Sequence, residues 1–505
     1  MSWAEPASLL PLREMSSSIY LLPTILFIPI TLLVLRWVST PKLPTVNSYP
    51  GDFSQRKARE TFVSNAKSLL AEGFRRFNGP FRVVTTLSSR VILPASWATW
   101  VKNCQDLDHS ALVCDEYFAE YPGMDGQAAL QDPRRFPFEV IKTKLNQNSQ
   151  CQIMQDYTAR ALEDIWTNQQ DWHSIDFNQD VIRIIGRVTA VIFVGPELAS
   201  DPEWQNIIVT YTTHYFNSVR VLREWPRFIR PFVHWFLPEC KVAREQVRLA
   251  RRLMAPVLEQ RRAAKEAAEA ENRRCEFNDA IEWIDEAARG LSFDAASVQL
   301  GFAIGALHTT TELLKQAILD ICMHPELVQP IREEAQQAIQ EGGWTTAGVF
   351  KMQLLDSVVK ETQRLKPGSL VGLERKAMKD IILPNGITLR RGTKVAVDCS
   401  MMRDATNYPD PDHYDGYRFL KLRQSGESTA GLASTSAQHV AFGMGKAICP
   451  GRFFAANEIK IILAKILQRY DIRLVDGFTP NIAYFGFEML SDPEAKVEVR
   501  KRLGH

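Results

Sequence analysis

The chain has 505 residues, of which 45% are hydrophobic and 23% charged, and its 60 basic and 58 acidic side chains leave a net charge of +2. This ordinary globular composition excludes collagen, coiled coil and wholesale disorder, and the small net charge gives no sign of a nucleic-acid partner. Eight cysteines are scattered without a CxxC pair. That pattern favours reduced thiols on the cytosolic side of a membrane over a disulfide scaffold.

The N-terminal region contains a long apolar run. Residues 19–38 carry a single charge, at Arg36. About 20 residues at roughly 1.5 Å each cross a hydrocarbon core of roughly 30 Å. A cleaved signal peptide is the alternative, but its apolar core is usually shorter and ends in a small-x-small cleavage site, which the residues after this run do not provide. We therefore predict an N-terminal tail over residues 1–18 and an uncleaved transmembrane anchor over residues 19–38.

The charges around this segment indicate its orientation. Basic residues follow it, among them Lys42 and Arg56, whereas the tail before it has one arginine. Because basic flanks usually remain cytoplasmic, we expect the long C-terminal part to lie in the cytosol. Residues 39–51 contain three prolines and are predicted to form a stiff linker. Residues 52–505 then form the body of the protein.

Helical periodicity dominates this body. Residues 241–274 read as one long, charged helix with an apolar stripe. Short β-rich runs at 82–87 and 90–93 predict a hairpin. Residues 380–398 predict two strands joined through the turn signal Pro384-Asn385-Gly386. The predicted fold class is therefore mainly α with small β-sheets.

A second long apolar helix is predicted before Pro325, with Ser292 or Asp294 capping its start. Thr309 follows Gly305 by four residues, so its hydroxyl can bond the Gly305 carbonyl and open the helix locally. Without other information, this is also the pattern of an ordinary core helix with inward threonines.

The next helical segment, LLDSVVKETQRLKP, places Glu361 and Arg364 three residues apart on one face. Such pairs are common on protein surfaces and contribute little there. A buried carboxylate–guanidinium cluster would instead be rigid, because it needs complete hydrogen bonding.

The strongest local pattern surrounds Cys449. The neighbouring residues allow tight turns and lead into an amphipathic helix: Phe442, Gly443, Gly445, Pro450 and Gly451. Pro450 suits a first helical position, and a helix N-terminus favours a thiolate over a thiol. Neither a second cysteine nor a histidine lies at chelate spacing, so zinc and iron–sulfur sites lack ligands, whereas a haem iron needs one axial thiolate.

With these residues the chain resembles the cytochrome P450 family. The family signature Phe-x-x-Gly-x-x-x-Cys-x-Gly is matched by Phe442, Gly445, Cys449 and Gly451. One position departs from the family pattern. Ala447 stands where an arginine or histidine usually contacts a haem propionate, which leaves open which cation binds that group.

The resemblance implies a cytochrome P450 fold, haem b as cofactor and Cys449 as the axial ligand of its iron. Thr309 and His308, in the segment GALHTT, match the family's distal catalytic positions, with histidine in place of the usual acid. Glu361, Arg364 and Arg418 match its structural ion network. Arg375 matches a propionate partner. The remaining cofactor-binding positions are those of the loop: Phe442, Gly443, Gly445 and Gly451.

The resemblance also implies a function. We expect a monooxygenase that inserts one oxygen atom from O₂ into an apolar small molecule, with a fungal terpenoid or meroterpenoid as the expected class. Electrons are expected from NADPH through a partner cytochrome P450 reductase, at the endoplasmic reticulum membrane and in contact with its lipid. Two alternatives remain: a family member that isomerises, dehydrates or desaturates its substrate, or a non-catalytic haem-binding membrane protein.

Overall fold

Helices are the main elements of the part of the chain that the structure describes. The computed structural model describes residues 43–273 and 277–503, and the predicted anchor over residues 19–38 lies outside them. In chain order the helices are α1 (Arg56–Arg76), α2 (Ala98–Asn103), α3 (His109–Tyr117), α4 (Asp125–Leu130), α5 (Phe136–Thr143), α6 (Asn148–Trp166), α7 (Phe177–Ala199), α8 (Pro202–Arg223), α9 (Arg230–Val233), α10 (Pro238–Ala270), α11 (Ala280–Ala288), α12 (Ala295–Met323), α13 (Val328–Gly342), α14 (Thr346–Lys351), α15 (Gln353–Leu365), α16 (Arg418–Gln424) and α17 (Arg452–Arg469).

The strands are short and form small sheets. They are β1 (Phe81–Val84), β2 (Ser89–Leu93), β3 (Leu107–Asp108), β4 (His173–Ser174), β5 (Val371–Ala377), β6 (Ile381–Ile382), β7 (Thr388–Leu389), β8 (Lys394–Asp398), β9 (Tyr470–Leu474), β10 (Ala483–Phe485), β11 (Glu488–Leu490) and β12 (Val497–Lys501). The largest sheet has the order β1-β2-β8-β5-β3, and a three-stranded sheet has the order β4-β12-β9. Mainly helical architecture with small sheets is therefore confirmed.

Helix α12 lies at the centre of the helical packing. Asp294 caps its start, because the Asp294 carboxylate accepts a hydrogen bond from the amide of Ser297. The helix ends at Met323, shortly before Pro325. Apolar residues on several of its faces are buried, and it packs against α4, α7, α8, α10, α15 and α17. A helix buried on most sides needs this all-round apolar sequence.

An irregularity in β5 shapes the large sheet near the site. The pairing of β5 with β8 shifts register between Gly372 and Arg375, and Leu373 within this shift has a left-handed φ of 49°. Positive φ is unfavourable for a branched side chain. The bulge therefore fixes where the residues after it, including Arg375, point.

Two sequence predictions need correction. Residues 380–398 form three strands rather than two: β6 and β7 pair with each other, and β8 belongs to the large sheet. Pro450 is not the first helical residue, because α17 begins at Arg452 with Gly451 as its N-cap. The hairpin of β1 and β2 is as predicted. Across residues 43–273 and 277–503, every helix is too short or too polar to cross a bilayer.

Helix α17 carries a carboxyl group in the core. Glu458 is fully buried, and its Oε1 accepts a hydrogen bond of 2.8 Å from the Thr189 hydroxyl. Its Oε2 has no partner in the described part of the chain. Burial raises the pKa of Glu458 to about 8, because a charged carboxylate loses its hydration there.

This raised pKa predicts a pH-dependent stability. An unfolded glutamate ionises near its ordinary pKa of 4.5, whereas the folded protein holds the proton up to about pH 8. As the pH rises from 4.5 to about 8, the free energy of unfolding should therefore decrease by on the order of a few kcal/mol. Glu458→Gln removes the titrating group and should flatten the decline in urea unfolding of the haem-loaded protein. The exposed Glu60→Gln is the control, and an unchanged slope in Glu458→Gln would contradict the assignment.

Candidate functional site

The loop before α17 holds Cys449 by backbone geometry. The amide of Cys449 donates a hydrogen bond of 2.8 Å to the Phe442 carbonyl, which closes the loop. Gly443 and Gly445 have φ values of 72° and 65°, a region that side chains disfavour. A Cβ added at Gly443 would lie 2.8 Å from the Ala447 carbonyl oxygen. The glycines are therefore required by the turn that presents the sulfur.

The environment of the Cys449 sulfur differs from expectation. Burial raises the pKa of the Cys449 thiol. The backbone N–H groups of Gly451 and Arg452 and the positive charge of Arg452 oppose this rise without overcoming it. The N–H groups at the start of α17 thus favour the thiolate, as the sequence indicates, but burial outweighs them. A bound metal cation deprotonates a ligating thiol directly, so the donor set still suits one metal centre.

Aromatic packing connects the cysteine helix to α12. Phe454, in the first turn of α17, stacks with Phe193 of α7 at 6.1 Å between ring centroids. Phe193 in turn packs against Phe302 of α12 at 5.3 Å. Contacts of this kind contribute beyond their buried area because ring edges and faces attract. The helix that follows the Cys449 loop and the helix that carries Thr309 are thus held by one apolar cluster.

Helix α12 opens at Gly305 and Thr309. The Thr309 hydroxyl donates a hydrogen bond of 3.1 Å to the Gly305 carbonyl, the bond that the four-residue spacing suggests. Both residues are accessible although most of the helix is buried. A Cβ added at Gly305 would meet no atom within 4 Å. The middle of α12 therefore borders open space.

His308 lies on a different side of this opening. The ring makes a hydrogen bond to the backbone of Val209 in α8, and its Nε2 has no partner among the described residues. Burial lowers the pKa of His308, and the positive charge of Lys315 lowers it further. The neutral imidazole is therefore favoured at neutral pH. His308 packs between α12 and α8, and among the described residues the Thr309 hydroxyl bonds to Gly305 rather than to the His308 ring.

Glu361, Arg364 and Arg418 form a buried ion cluster. The Arg364 guanidinium pairs with the Glu361 carboxylate through two hydrogen bonds of 2.8 Å, and both side chains are completely buried. Arg418 Nε lies 3.1 Å from Glu361 Oε1. A two-pronged guanidinium–carboxylate pair fixes orientation as well as distance.

The same cluster fixes the chain that follows β8. Arg364 donates to the carbonyls of Met402 and Pro411 at 2.9 and 2.6 Å, and Arg418 donates to that of Pro409 at 2.6 Å. Neighbouring Lys360 is fully buried and donates to three further carbonyls, those of Thr429, Gly431 and Ser434. Burial lowers the pKa of Lys360 to about 7. Helix α15 therefore holds most of the segment between β8 and the Cys449 loop.

Arg375 is a buried cation without an acidic partner in contact. Its residue exposure is 6%, and its guanidinium donates to the carbonyls of Glu374 and Met444 at 2.7 and 3.4 Å. The described ion pairs do not include it. Burial lowers the pKa of Arg375, and the negative charges of Asp108 and Glu374 offset this only in part. An anionic group next to this guanidinium would supply the missing charge.

Sequence reasoning overlooked His109, which shares a hydrogen-bond acceptor with Arg375. The ring Nδ1 of His109 lies 3.0 Å from the Glu374 carbonyl oxygen. No motif marks this histidine, and only strand pairing brings residues so distant in sequence together. Lys446, the cation next to Ala447, is exposed and bonds instead to Gln105 at 2.5 Å.

Comparison with known proteins agrees with this geometry. Residues 125–499 match the cytochrome P450 family. The cytochrome P450 monooxygenase ntnM of Nectria sp is 36% identical over 473 residues, which cover 93% of this chain and 90% of that protein. The chain belongs to the cytochrome P450 family. Fumitremorgin C monooxygenase of Neosartorya fischeri is 33% identical over 483 residues, or 94% of this chain and 95% of that one.

A solved structure shows the same fold. The retinoic acid-bound cyanobacterial protein CYP120A1 superposes with a TM-score of 0.65 and 18% identity, covering 92% of this chain and all of that one. A further similar protein is the cytochrome P450 monooxygenase adrA of Penicillium rubens, which is 36% identical over 470 residues, or 91% of this chain and 92% of that protein. The present chain is a cytochrome P450 monooxygenase.

The cytochrome P450 family and fold imply a haem held by a cysteine thiolate, and the residues present fit this group. Cys449 supplies one sulfur with backbone N–H groups directed at it. Open space borders Gly305 on α12. The buried Arg375 guanidinium lacks an acidic contact, as expected beside a haem propionate. In the described ranges, no cluster of three His, Cys, Asp or Glu residues offers a competing metal site.

The buried ion cluster predicts the effect of one substitution. Arg364→Ala leaves the Glu361 carboxylate buried without its main partner, at a cost of about 3–5 kcal/mol. We expect the variant to lose haem incorporation and to unfold at much lower urea concentration. Arg390→Ala is the matched control, because its guanidinium pairs with Asp380 at 2.7 Å but is 41% exposed, and it should cost about 1 kcal/mol or less. Normal haem content in Arg364→Ala would show that the cluster does not support the site.

Proposed function

We propose that this cytochrome P450 monooxygenase inserts one oxygen atom from O₂ into an apolar small molecule of secondary metabolism, with a terpenoid or meroterpenoid as the substrate class. The combination of the Cys449 loop with the opening at Gly305 and Thr309 carries this proposal. When bound, the haem would supply the oxidation chemistry, and the Cys449 thiolate would hold its iron. The chain's own residues position the cofactor, shape the pocket and control protons.

We assign proton positioning at the opening to Thr309. Its hydroxyl is fixed by donation to the Gly305 carbonyl at 3.1 Å, so its oxygen lone pairs face the accessible side of α12. With its one proton directed at Gly305, the hydroxyl can only accept a hydrogen bond, and so holds a proton-donating water on the accessible side of α12. His308 is a secondary contributor, because its imidazole is turned towards α8 and bonded to Val209.

The side chains near the opening support an apolar substrate. Phe302 and Ala306 flank Gly305 on α12. Leu370 and Val371 precede the β5 bulge, and Phe487 packs on Phe62 with ring centroids 4.7 Å apart. In the family, the corresponding segments line the substrate pocket. Pockets for small molecules are typically lined by such residues with few polar groups. The fungal relatives are named as monooxygenases, which is compatible with this class of substrate.

We propose an NADPH-dependent cytochrome P450 reductase as the electron donor. Cationic side chains lie near the Cys449 loop: Lys446 is exposed, and Arg452 follows the cysteine by three residues. Lys142 is 57% exposed and adjoins Ile141, which approaches Gly451. A positive surface of this kind attracts an acidic partner and guides its approach. Electrons would then enter on the cysteine side of the site.

We also propose attachment to the endoplasmic reticulum membrane through residues 19–38, with the catalytic part in the cytosol. An exposed aromatic patch between α8 and α10 supports contact with lipid. Its members are Trp225, Phe228, Phe232, Trp235 and Phe236, exposed by 40 to 83%. Exposed apolar groups of this size mark an interaction surface, and tryptophan beside arginine suits the bilayer interface. This aromatic patch and the anchor would together hold the protein on the membrane.

Membrane attachment predicts two separable effects. The full chain should remain with membranes after an alkaline carbonate wash, and deletion of residues 1–38 should release it.

In the shortened chain, combined Phe228→Ser, Phe232→Ser and Phe236→Ser should weaken binding to lipid vesicles roughly tenfold or more, because apolar burial is lost. Phe350→Ser is the control, since Phe350 is 64% exposed on α14 outside the patch. Release of the full chain by the wash would contradict the anchor, and undiminished vesicle binding would contradict the patch.

Turnover with isotopically labelled dioxygen tests the proposed reaction. The reconstituted protein with reductase, NADPH and candidate terpenoids should give a product that carries one labelled oxygen atom. Thr309→Ala should bind haem normally but form product roughly 10²–10⁴-fold less per NADPH, with hydrogen peroxide released instead, because the hydroxyl that positions a proton-donating water is lost. Thr310→Ala is the control, as Thr310 is buried on another face.

His308→Ala should show a smaller loss in the same assay. Product formed without NADPH or without label would favour the isomerase or dehydratase alternative. Unchanged coupling of NADPH to product in Thr309→Ala would show that this hydroxyl only packs the helix.

A further inference from the structure

We propose that His109, together with Arg375, binds a haem propionate and replaces the cation that is missing at Ala447. This inference rests on the proposed haem-binding function and concerns how this particular chain completes it. The usual basic residue before the cysteine is absent. Burial of a carboxylate without a cationic partner is energetically unfavourable. The replacement comes from a different element of the fold.

Strand pairing brings the two residues together. Strands β3 and β5 are antiparallel, with Leu107 opposite Ala377 and Asp108 opposite Lys376. The pairing ends there, and the next residue, His109, lies beside Glu374, whose carbonyl its ring contacts. His109 is the first residue of α3, so its side chain leaves the sheet at the point where the backbone turns into the helix.

The two side chains share one backbone acceptor. His109 Nδ1 and Arg375 Nη1 lie 3.0 and 2.7 Å from the same Glu374 carbonyl oxygen. A carbonyl only accepts, so His109 Nδ1 carries a proton and Nε2 is left for a further partner. Arg375 Nη2 reaches the Met444 carbonyl at 3.4 Å, within the loop that leads to Cys449. Both groups are thus fixed at the edge of the cysteine loop.

The charge balance around His109 favours an incoming carboxylate. Burial lowers the pKa of His109, and the positive charge of Arg375 adds to this, while Asp108 and Glu374 oppose it. The His109 side chain nevertheless retains accessible surface, as expected at the wall of a cleft. A propionate placed between His109 and Arg375 compensates the Arg375 charge and favours the protonated form of His109. Because Nδ1 is already a donor, Nε2 takes up one proton from solvent when the carboxylate binds.

The other cationic side chains near the Cys449 loop form hydrogen bonds elsewhere or are exposed to solvent. Lys446 is bonded to Gln105 and exposed. Lys102 is exposed as well. Its aliphatic chain packs against Gly445, since a Cβ added to Gly445 would lie 2.9 Å from Lys102 Cγ. Compared with these two lysines, Arg375 is buried. His109 shares with it one hydrogen-bond acceptor, the Glu374 carbonyl. The pair therefore suits one carboxylate better than either lysine does.

The test measures haem retention rather than turnover. Holoprotein is mixed with an excess of a haem-scavenging globin, and the rate of haem loss is followed spectroscopically. His109→Ala should lose haem about tenfold faster, in keeping with one hydrogen bond to a charged group. His109→Gln keeps a donor for the Glu374 carbonyl without the charge and should behave similarly. Lys446→Ala is the matched control and should match the parent rate. Adding Ala447→His to His109→Ala should slow the loss again.

Reconstitution with haem dimethyl ester, whose propionates are uncharged, isolates the proposed contact. The parent and His109→Ala should lose this ester at equal rates. Loss of ordinary haem from His109→Ala at the parent rate would overturn the proposal. So would a difference that persists with the ester, because the imidazole would then act through packing. A parent protein without the carbon monoxide spectrum of a thiolate-ligated haem would instead refute the proposed function.

Discussion

The architecture of the site depends on the buried charge cluster of α15. Glu361 has no contact with solvent, and its carboxylate is satisfied by Arg364, Arg418 and a backbone amide. Such a cluster adds little net stability compared with apolar packing, but it tolerates only one geometry. Because its arginines also bind carbonyls between Met402 and His413, the same cluster fixes the chain that leads to the Cys449 loop.

Much of this site is readable from local sequence. The glycines around Cys449 are required by turns of positive φ, and the four-residue spacing of Gly305 and Thr309 determines their hydrogen bond. The three-residue spacing of Glu361 and Arg364 likewise places them together. In each case a few neighbouring residues contain the geometric information, because helix and turn periodicities are local properties.

Other features depend on tertiary packing and could not be predicted this way. His109 meets Arg375 only through the pairing of β3 with β5, and a two-residue strand has no sequence signal of its own. The thiol pKa of Cys449 reflects the balance of burial against amide dipoles, which sequence does not quantify. The direction of His308 towards Val209 similarly depends on where α8 packs.

The central claim is that this fold presents one cysteine sulfur to one haem iron. Replacing that sulfur by oxygen is the most direct test, since Cys449→Ser changes one atom and keeps the loop's backbone hydrogen bond to Phe442. Absorption spectra of the reduced, carbon monoxide-bound protein report the axial ligand. We predict that the parent shows the shifted Soret band of a thiolate-ligated haem and that Cys449→Ser lacks it. A Cys449→Ser protein that retains this band would contradict the account.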